Sequence, residues 1–120
     1  VAAVEPVAEI NAITLLVTDM ARSVPFYEDL GLTVTYGGPG DDFTSLRIGA
    51  NYVNLSGGEG PPAGFWGRVV FHVEDPDAVY DRAVEAGHHP EFEPRDAPWN
   101  ERYFHLRDPD GHELSFARPL

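Results

Sequence analysis

Three side chains have the chemistry to ligate a metal or to move a proton, and their strand spacing allows them to share one face: His72, His105 and Glu113. Two imidazoles and a carboxylate make a facial triad with open coordination positions if they converge on a metal. Without a metal they make a general acid–base set. The alternative for both histidines is a hydrogen-bonded or ligand-contacting polar role. Arg68 brings a permanent positive charge, which needs a partner if buried. That partner is either Glu113 or an anionic group on a ligand. Aromatic residues stand in two loops, at Phe65-Trp66 and at Pro98-Trp99. Trp99, beside Asn100 and Glu101, reads as a ligand-stacking surface. Trp66 reads as a cap on the core or an interface residue, and His88-His89 as a solvated pair near a helix C-terminus.

These side chains need a scaffold, and the chain contains its frame twice, 56 residues apart: Val17-Thr18-Asp19 to Gly31, then Val73-Glu74-Asp75 to Gly87. Each copy reads as a strand, an Asp that caps a helix, the helix, and a Gly that stops it. Ile10 to Val17 predicts the first strand and Asp19 to Leu30 the first helix, with Pro25 allowing a restart at Ser23. Leu32 to Tyr36, Phe43 to Ile48 and Tyr52 to Leu55 predict three more strands. Residues 57–64 form a Gly/Pro linker between module one (9–56) and module two (65–118). Module two repeats the order with a strand at Arg68 to Val73, a helix at Pro76 to Ala86 and a short strand at Pro90 to Glu93. A closing hairpin, Arg102 to Arg107 and Glu113 to Ala117, turns at Asp108-Pro109-Asp110-Gly111, whose residue types suit a type I turn. The reading is one α+β domain over 1–120, ordered βαβββ twice.

Alternation along the strands selects the cleft lining. It comprises Ala12, Thr14 and Leu16; Tyr52, Asn54 and Ser56; Arg68, Val70 and His72; and Tyr103, His105, Glu113, Ser115 and Ala117. With Trp99 from the loop, this is a polar and aromatic pocket suited to an organic ligand.

Composition narrows the partners. The 120 residues hold no Cys, so no disulfide or thiol chemistry is available. The formal charge is −12, with 20 acidic residues against 8 basic ones, all Arg. That balance argues against nucleic acid and permits attraction of a cationic ligand. No apolar run is long enough to span a membrane, and Val1 to Glu9 shows no signal-peptide pattern. A cytoplasmic protein is expected, and a chain that starts at Val1 is expected to have lost its initiator Met or further residues.

The residues Val17-Thr18-Asp19-Met20-Ala21-Arg22-Ser23, Phe26-Tyr27 and Leu30-Gly31-Leu32 resemble the vicinal oxygen chelate superfamily. So do Val73-Glu74-Asp75, Ala86-Gly87 and Arg107-Asp108-Pro109-Asp110-Gly111-His112-Glu113-Leu114. This superfamily includes glyoxalase I, bleomycin resistance proteins and extradiol dioxygenases. The resemblance implies paired βαβββ modules that curl into U-shaped mixed sheets, with helices outside and a cleft inside. It implies metal-ligand positions at Ala12, Asn54, Arg68 and Ser115. None of these is a His or a carboxylate, so no metal and no cofactor are expected. Pro98 to Phe104 resembles the matching stretch of bleomycin resistance proteins, which are metal-free, acidic, dimeric proteins that sequester cationic glycopeptides. The implied function is metal-free binding of a small molecule, cationic or aromatic and antibiotic-like, by a homodimer. The alternative is a divergent lyase, isomerase or dioxygenase.

Overall fold

The computed structural model describes residues 7–120. Of the stretch Val1 to Glu9 read above for signals, the first six residues lie outside the described ones. The elements are β1 (Ala12–Val17), α1 (Met20–Asp29), β2 (Thr33–Tyr36), β3 (Phe43–Ile48), β4 (Asn51–Gly57), β5 (Arg68–His72), α2 (Pro76–Glu85), β6 (Arg95–Ala97), β7 (Glu101–Arg107) and β8 (Glu113–Pro119). They form two mixed four-stranded sheets, ordered β1-β4-β3-β2 and β5-β8-β7-β6. The first strand of each module runs parallel to its last, and the other pairings are antiparallel.

The two helices are built by the same devices. Asp19 accepts from the backbone N–H of Arg22, and Asp75 from those of Asp77 and Ala78, which satisfies N-terminal donors that have no helical partner. At the other ends, Gly31 and Gly87 adopt φ of 102° and 92°. Their N–H groups bond Glu28 and Val84, while Leu32 and His88 reach back to Tyr27 and Ala83. Both ends are Schellman closures, in which the left-handed residue has no Cβ to strain. α1 runs unbroken through Pro25, whose ring faces solvent, and does not restart at Ser23.

Each helix covers the outer face of its own sheet. Val24 and Tyr27 of α1 pack with Leu15, Val17, Leu46, Val53 and Leu55, and Ala83 of α2 with Phe71, Phe104, Leu114 and Phe116. Phe104 stacks between Phe116 and the edge of Tyr80, with centroids 5.1 and 5.5 Å away. Odd-even alternation then leaves the opposite, concave faces open: Leu16 is 44 % and Val70 54 % exposed.

The segment Pro90 to Glu93 is not a strand. It makes one backbone bond, from Glu91 N–H to the His105 carbonyl at 2.9 Å, and the ladder to β7 starts only at Arg95. Pro90 and Pro94 lack N–H groups, so continuous pairing cannot begin until Pro94 has been passed.

The modules meet along a polar seam. The β7–β8 turn, closed by Gly111 N–H to Asp108 O at 2.9 Å, docks on the start of α1. Tyr27 donates its hydroxyl to Asp108 at 2.7 Å, Thr18 donates its hydroxyl to Asp110 at 2.6 Å, and Arg22 donates to the Pro109 carbonyl at 2.9 Å. His112, 3 % exposed, faces Trp66 Nε1 (2.8 Å) through Nδ1 and the Leu16 carbonyl (2.7 Å) through Nε2. Trp66 donates its indole N–H and the Leu16 carbonyl only accepts, so the imidazole carries its proton on Nε2. Trp66 therefore straps the linker to the domain. At the far end, His88 Nε2 lies 3.0 Å from Asp29 and its ring packs on Phe26, which links the two helix C-termini. The radius of gyration is 15.2 Å, above the roughly 13–14 Å usual for a closed domain of this length, in keeping with two sheets joined at a seam and open on their concave sides.

Candidate functional site

The concave face of the second sheet carries a chain of charges. In the β5–β8–β7 ladder, Arg68, Glu113 and Arg107 share one row, and Val70, Ser115 and His105 the next. Arg68 Nη2 donates to Glu113 Oε1 at 2.9 Å. The same oxygen lies 3.2 Å from His105 Nδ1, which is also 3.6 Å from Glu91, and Arg107 Nε donates to Glu91 at 2.9 Å. In the order Arg–Glu–His–Glu–Arg, each carboxylate has a guanidinium beside it and His105 stands between the two carboxylates.

This wiring sets the protonation states. Burial works to raise the Glu113 carboxyl, but the hydrogen bond and charge of Arg68 outweigh it and hold the group below its ordinary value. Burial, aided by the charge of Arg68, pushes His105 down against the pull of Glu113 and Glu91. His105 is thereby favoured as a neutral imidazole with Nδ1 turned to Glu113.

An aromatic wall continues from His105. The rings of Phe92, Tyr103 and His105 lie 5.2 to 5.3 Å from one another, and Trp99 extends the row 5.3 Å from Tyr103. Trp99 is 61 % exposed, with its indole N–H on Glu101 at 3.1 Å.

The remaining sequence-selected residues are spread over both sheets. Tyr52, Arg68 and His72 line a cavity of about 410 Å³ between the edge strands β1 and β5. Thr14 lines a smaller one, about 170 Å³, with Pro61, Pro62 and Trp66. Asn54 accepts from Ser45 Oγ at 2.7 Å and faces Thr14 Oγ1 at 3.4 Å. Ser115 is buried between Val70 and His105.

His72 does not join His105 and Glu113. Its row pairs with Ala117 and Tyr103, and the third ligand-capable group beside His105 and Glu113 is Glu91. The triad with His72 is thus replaced by Glu91–His105–Glu113, whose ligand atoms lie within 4.8 Å of one another. Glu91 escapes a reading by alternation because it lies on an irregular segment between prolines. The two carboxylates of this cluster, Glu91 and Glu113, are already engaged by Arg107 and Arg68, so a cation there must compete with two fixed positive charges.

The four family ligand positions also fit a metal poorly. Ala12 has no donor atom, Asn54 is engaged with Ser45, Arg68 is cationic and paired, and Ser115 is a neutral hydroxyl. The donor set lacks the imidazoles and carboxylates that such a centre needs.

Comparison with known proteins agrees with this architecture. A family model described as the glyoxalase/bleomycin resistance protein/dioxygenase superfamily matches residues 9–116. A Bacillus subtilis (strain 168) protein, the uncharacterized YraH, is 32% identical over 124 residues, spanning 90% of this chain and 96% of that protein. TioX from Micromonospora sp. ML1 superposes with a TM-score of 0.77 at 24% identity, over 94% of this chain and 100% of TioX. A lactoylglutathione lyase from Agrobacterium tumefaciens superposes at 0.76 with 21% identity, over 94% of this chain and 95% of the enzyme. At these identities the two structures speak for the fold and not for a shared reaction.

Proposed function

The chain belongs to the glyoxalase/bleomycin resistance protein/dioxygenase superfamily, and from that premise we propose that it is a metal-free binding protein for a small aromatic molecule. It holds its ligand in the cleft and acts by sequestration, as a protein guarding against an antibiotic-like compound would. The observation that carries this reading is the donor set at the four family ligand positions, Ala12, Asn54, Arg68 and Ser115. An alanine and a permanently charged guanidinium among them leave no Lewis-acid centre to build. The aromatic row of Trp99 and Tyr103 supplies stacking area instead.

We further propose that it works as a homodimer in the cytoplasm. The concave strands β1 and β5 are sheet edges that expose Leu16 and Val70, and unpaired apolar edges gain from cover by a second copy. Among the described residues no helix is long and apolar enough to cross a membrane.

The direct test is a titration of aromatic natural products followed by Trp fluorescence, with Trp99→Phe as control. Saturable quenching that disappears in the variant supports the proposal. A diverse set that produces no quenching removes it.

One observation favours a second reading, as a metal-independent lyase or isomerase. His105 is favoured as neutral and is oriented by Glu113 at 3.2 Å, the state required of a general base. Turnover of a bound ligand that is lost in His105→Asn with affinity retained would establish this reading in place of sequestration.

A further inference from the structure

The charge inside the cleft differs in sign from that of the chain as a whole. Of the 8 basic and 20 acidic residues, concave strand positions hold four arginines (Arg47, Arg68, Arg95 and Arg107) but only two acids, Glu101 and Glu113. Half of the guanidiniums have been placed where a tenth of the carboxylates are. The long-range field of the chain is acidic, but a bound ligand feels the nearest side chains, because charges beyond about 10 Å are screened at ordinary ionic strength.

Three of these guanidiniums keep donors free among the described residues. Arg68 uses Nη2 on Glu113 and lies 5.7 Å over Phe65, which leaves its Nε and Nη1 edge unengaged. Arg95 places its guanidinium carbon 3.8 Å from the Phe92 ring centroid, with no carboxylate paired to it among the described residues. Arg47 is exposed on the first sheet, in register with Tyr52. A planar fork with free N–H groups matches a carboxylate in bidentate geometry. Glu113 and Glu91 offset Arg68 and Arg107 one for one, so the positive excess comes from Arg47 and Arg95 against Glu101, while Arg68 contributes its unengaged N–H edge.

The aromatic row gives the ligand's other end. Tyr103 and Arg107 stand four residues apart on β7, which is roughly 13 Å of strand. A molecule in contact with both Trp99–Tyr103 and Arg68 is therefore extended, with more than one ring or a ring on a linker.

We infer that the cleft recognises an extended aromatic carboxylate, its ring on Trp99 and Tyr103 and its carboxylate on the free edge of Arg68. This rests on the reading of the cleft as a small-molecule site and specifies the ligand's charge, which the net charge of the chain would assign the other way.

Three matched probes test it: a para-substituted biphenyl carboxylate, its primary amide and the corresponding methylammonium. Calorimetric titration of the whole protein should show the carboxylate binding about 10- to 100-fold more tightly than the other two, the range of one charge-assisted hydrogen-bonded contact. The double variant Arg68→Gln/Glu113→Gln, which leaves no orphaned charge, should lose that preference, the carboxylate then binding no more tightly than the amide. Should this variant not fold, Arg68→Lys, which keeps the charge beside Glu113 but removes the free guanidinium edge, should reduce the preference at least severalfold. Equal binding of the three probes, or preference for the ammonium, overturns the inference and leaves the cleft a binding site. If none of the three binds, the inference falls, and the wider natural-product titration decides separately whether the cleft binds at all.

Discussion

Tyr27 and Asp108 lie 81 residues apart in sequence, yet the buried tyrosine hydroxyl donates to the buried carboxylate at 2.7 Å. This bond is the buried one among those from the closing turn to α1 and its cap, and it shows how the turn between β7 and β8 serves the first half of the chain. Asp108 also accepts from the backbone N–H groups of Asp110 and His112, both at 2.9 Å. One carboxylate thus shapes its own turn and receives a helix from the other module.

Removing the hydroxyl should loosen that seam. Tyr27→Phe leaves the carboxylate one donor short while preserving ring packing, and the expected loss is about 1–3 kcal/mol of stability, read from urea unfolding. An unchanged midpoint would mean that water replaces the hydroxyl and that the seam draws its strength elsewhere.

The two helix stops should respond alike. Gly31 and Gly87 are left-handed, and neither has an atom within 4 Å of where a Cβ would stand, so the only cost of Ala is conformational. Each substitution should destabilise by about 1–2 kcal/mol, and the double variant should be close to additive because the sites belong to separate helices. A difference much larger than 1 kcal/mol between the two would show that the closures are not equivalent.

Acid should weaken the second sheet by a route that can be dissected. His105 is held below its ordinary 6.5 by burial and by the charge of Arg68, so its contribution is present above pH 6.5 and is lost as pH falls through the lowered value. Glu113 is held below its ordinary 4.5 because Arg68 outweighs burial, so its contribution is present above pH 4.5 and is lost as pH falls further. Asp108 acts in the opposite sense, since burial raises it above 3.8 and proton uptake there favours the fold. Thermal melts between about pH 3 and pH 7 should therefore fall toward acid. His105→Asn should flatten the upper part of the curve and Glu113→Gln the lower part. A wild-type curve flat over this range would contradict the Arg68–Glu113–His105 wiring.

The cluster Glu91–His105–Glu113 should remain without metal in the native protein but become a metal site when its guanidiniums are removed. A positive charge within about 4 Å of a carboxylate shifts its energy by on the order of 1–4 kcal/mol. The double variant Arg68→Gln/Arg107→Gln should therefore gain at least about tenfold in Zn²⁺ or Ni²⁺ affinity by calorimetry. Elemental analysis of native protein purified without chelator should find no stoichiometric metal. A full equivalent there would overturn the metal-free reading.

Much of the scaffold was legible before folding because it rests on local rules. Asp19 and Asp75 cap because their own side chains reach the next N–H groups, and Gly31 and Gly87 stop helices because they lack a Cβ. Strand parity likewise separated Leu15, Val17 and Phe71 from Ala12, Thr14 and Arg68. The strand expected at Pro90 to Glu93 was misplaced because proline punctuation, not residue type, decides where β6 pairs.

The sequence by itself determined the duplicated βαβββ order, the absence of metal-type donors at Ala12, Asn54, Arg68 and Ser115, and the face each strand residue takes. The order and the faces follow from covalent chemistry and backbone periodicity, and the four positions from the resemblance to the superfamily. Only the tertiary structure decided that Glu91, not His72, stands beside His105 and Glu113, that Arg68 and Arg107 occupy both carboxylates, and that Asp108 ties the closing turn to Tyr27. Each of those relations joins residues from different strands or modules, and the register and docking that set their separation arise only when the sheets pack.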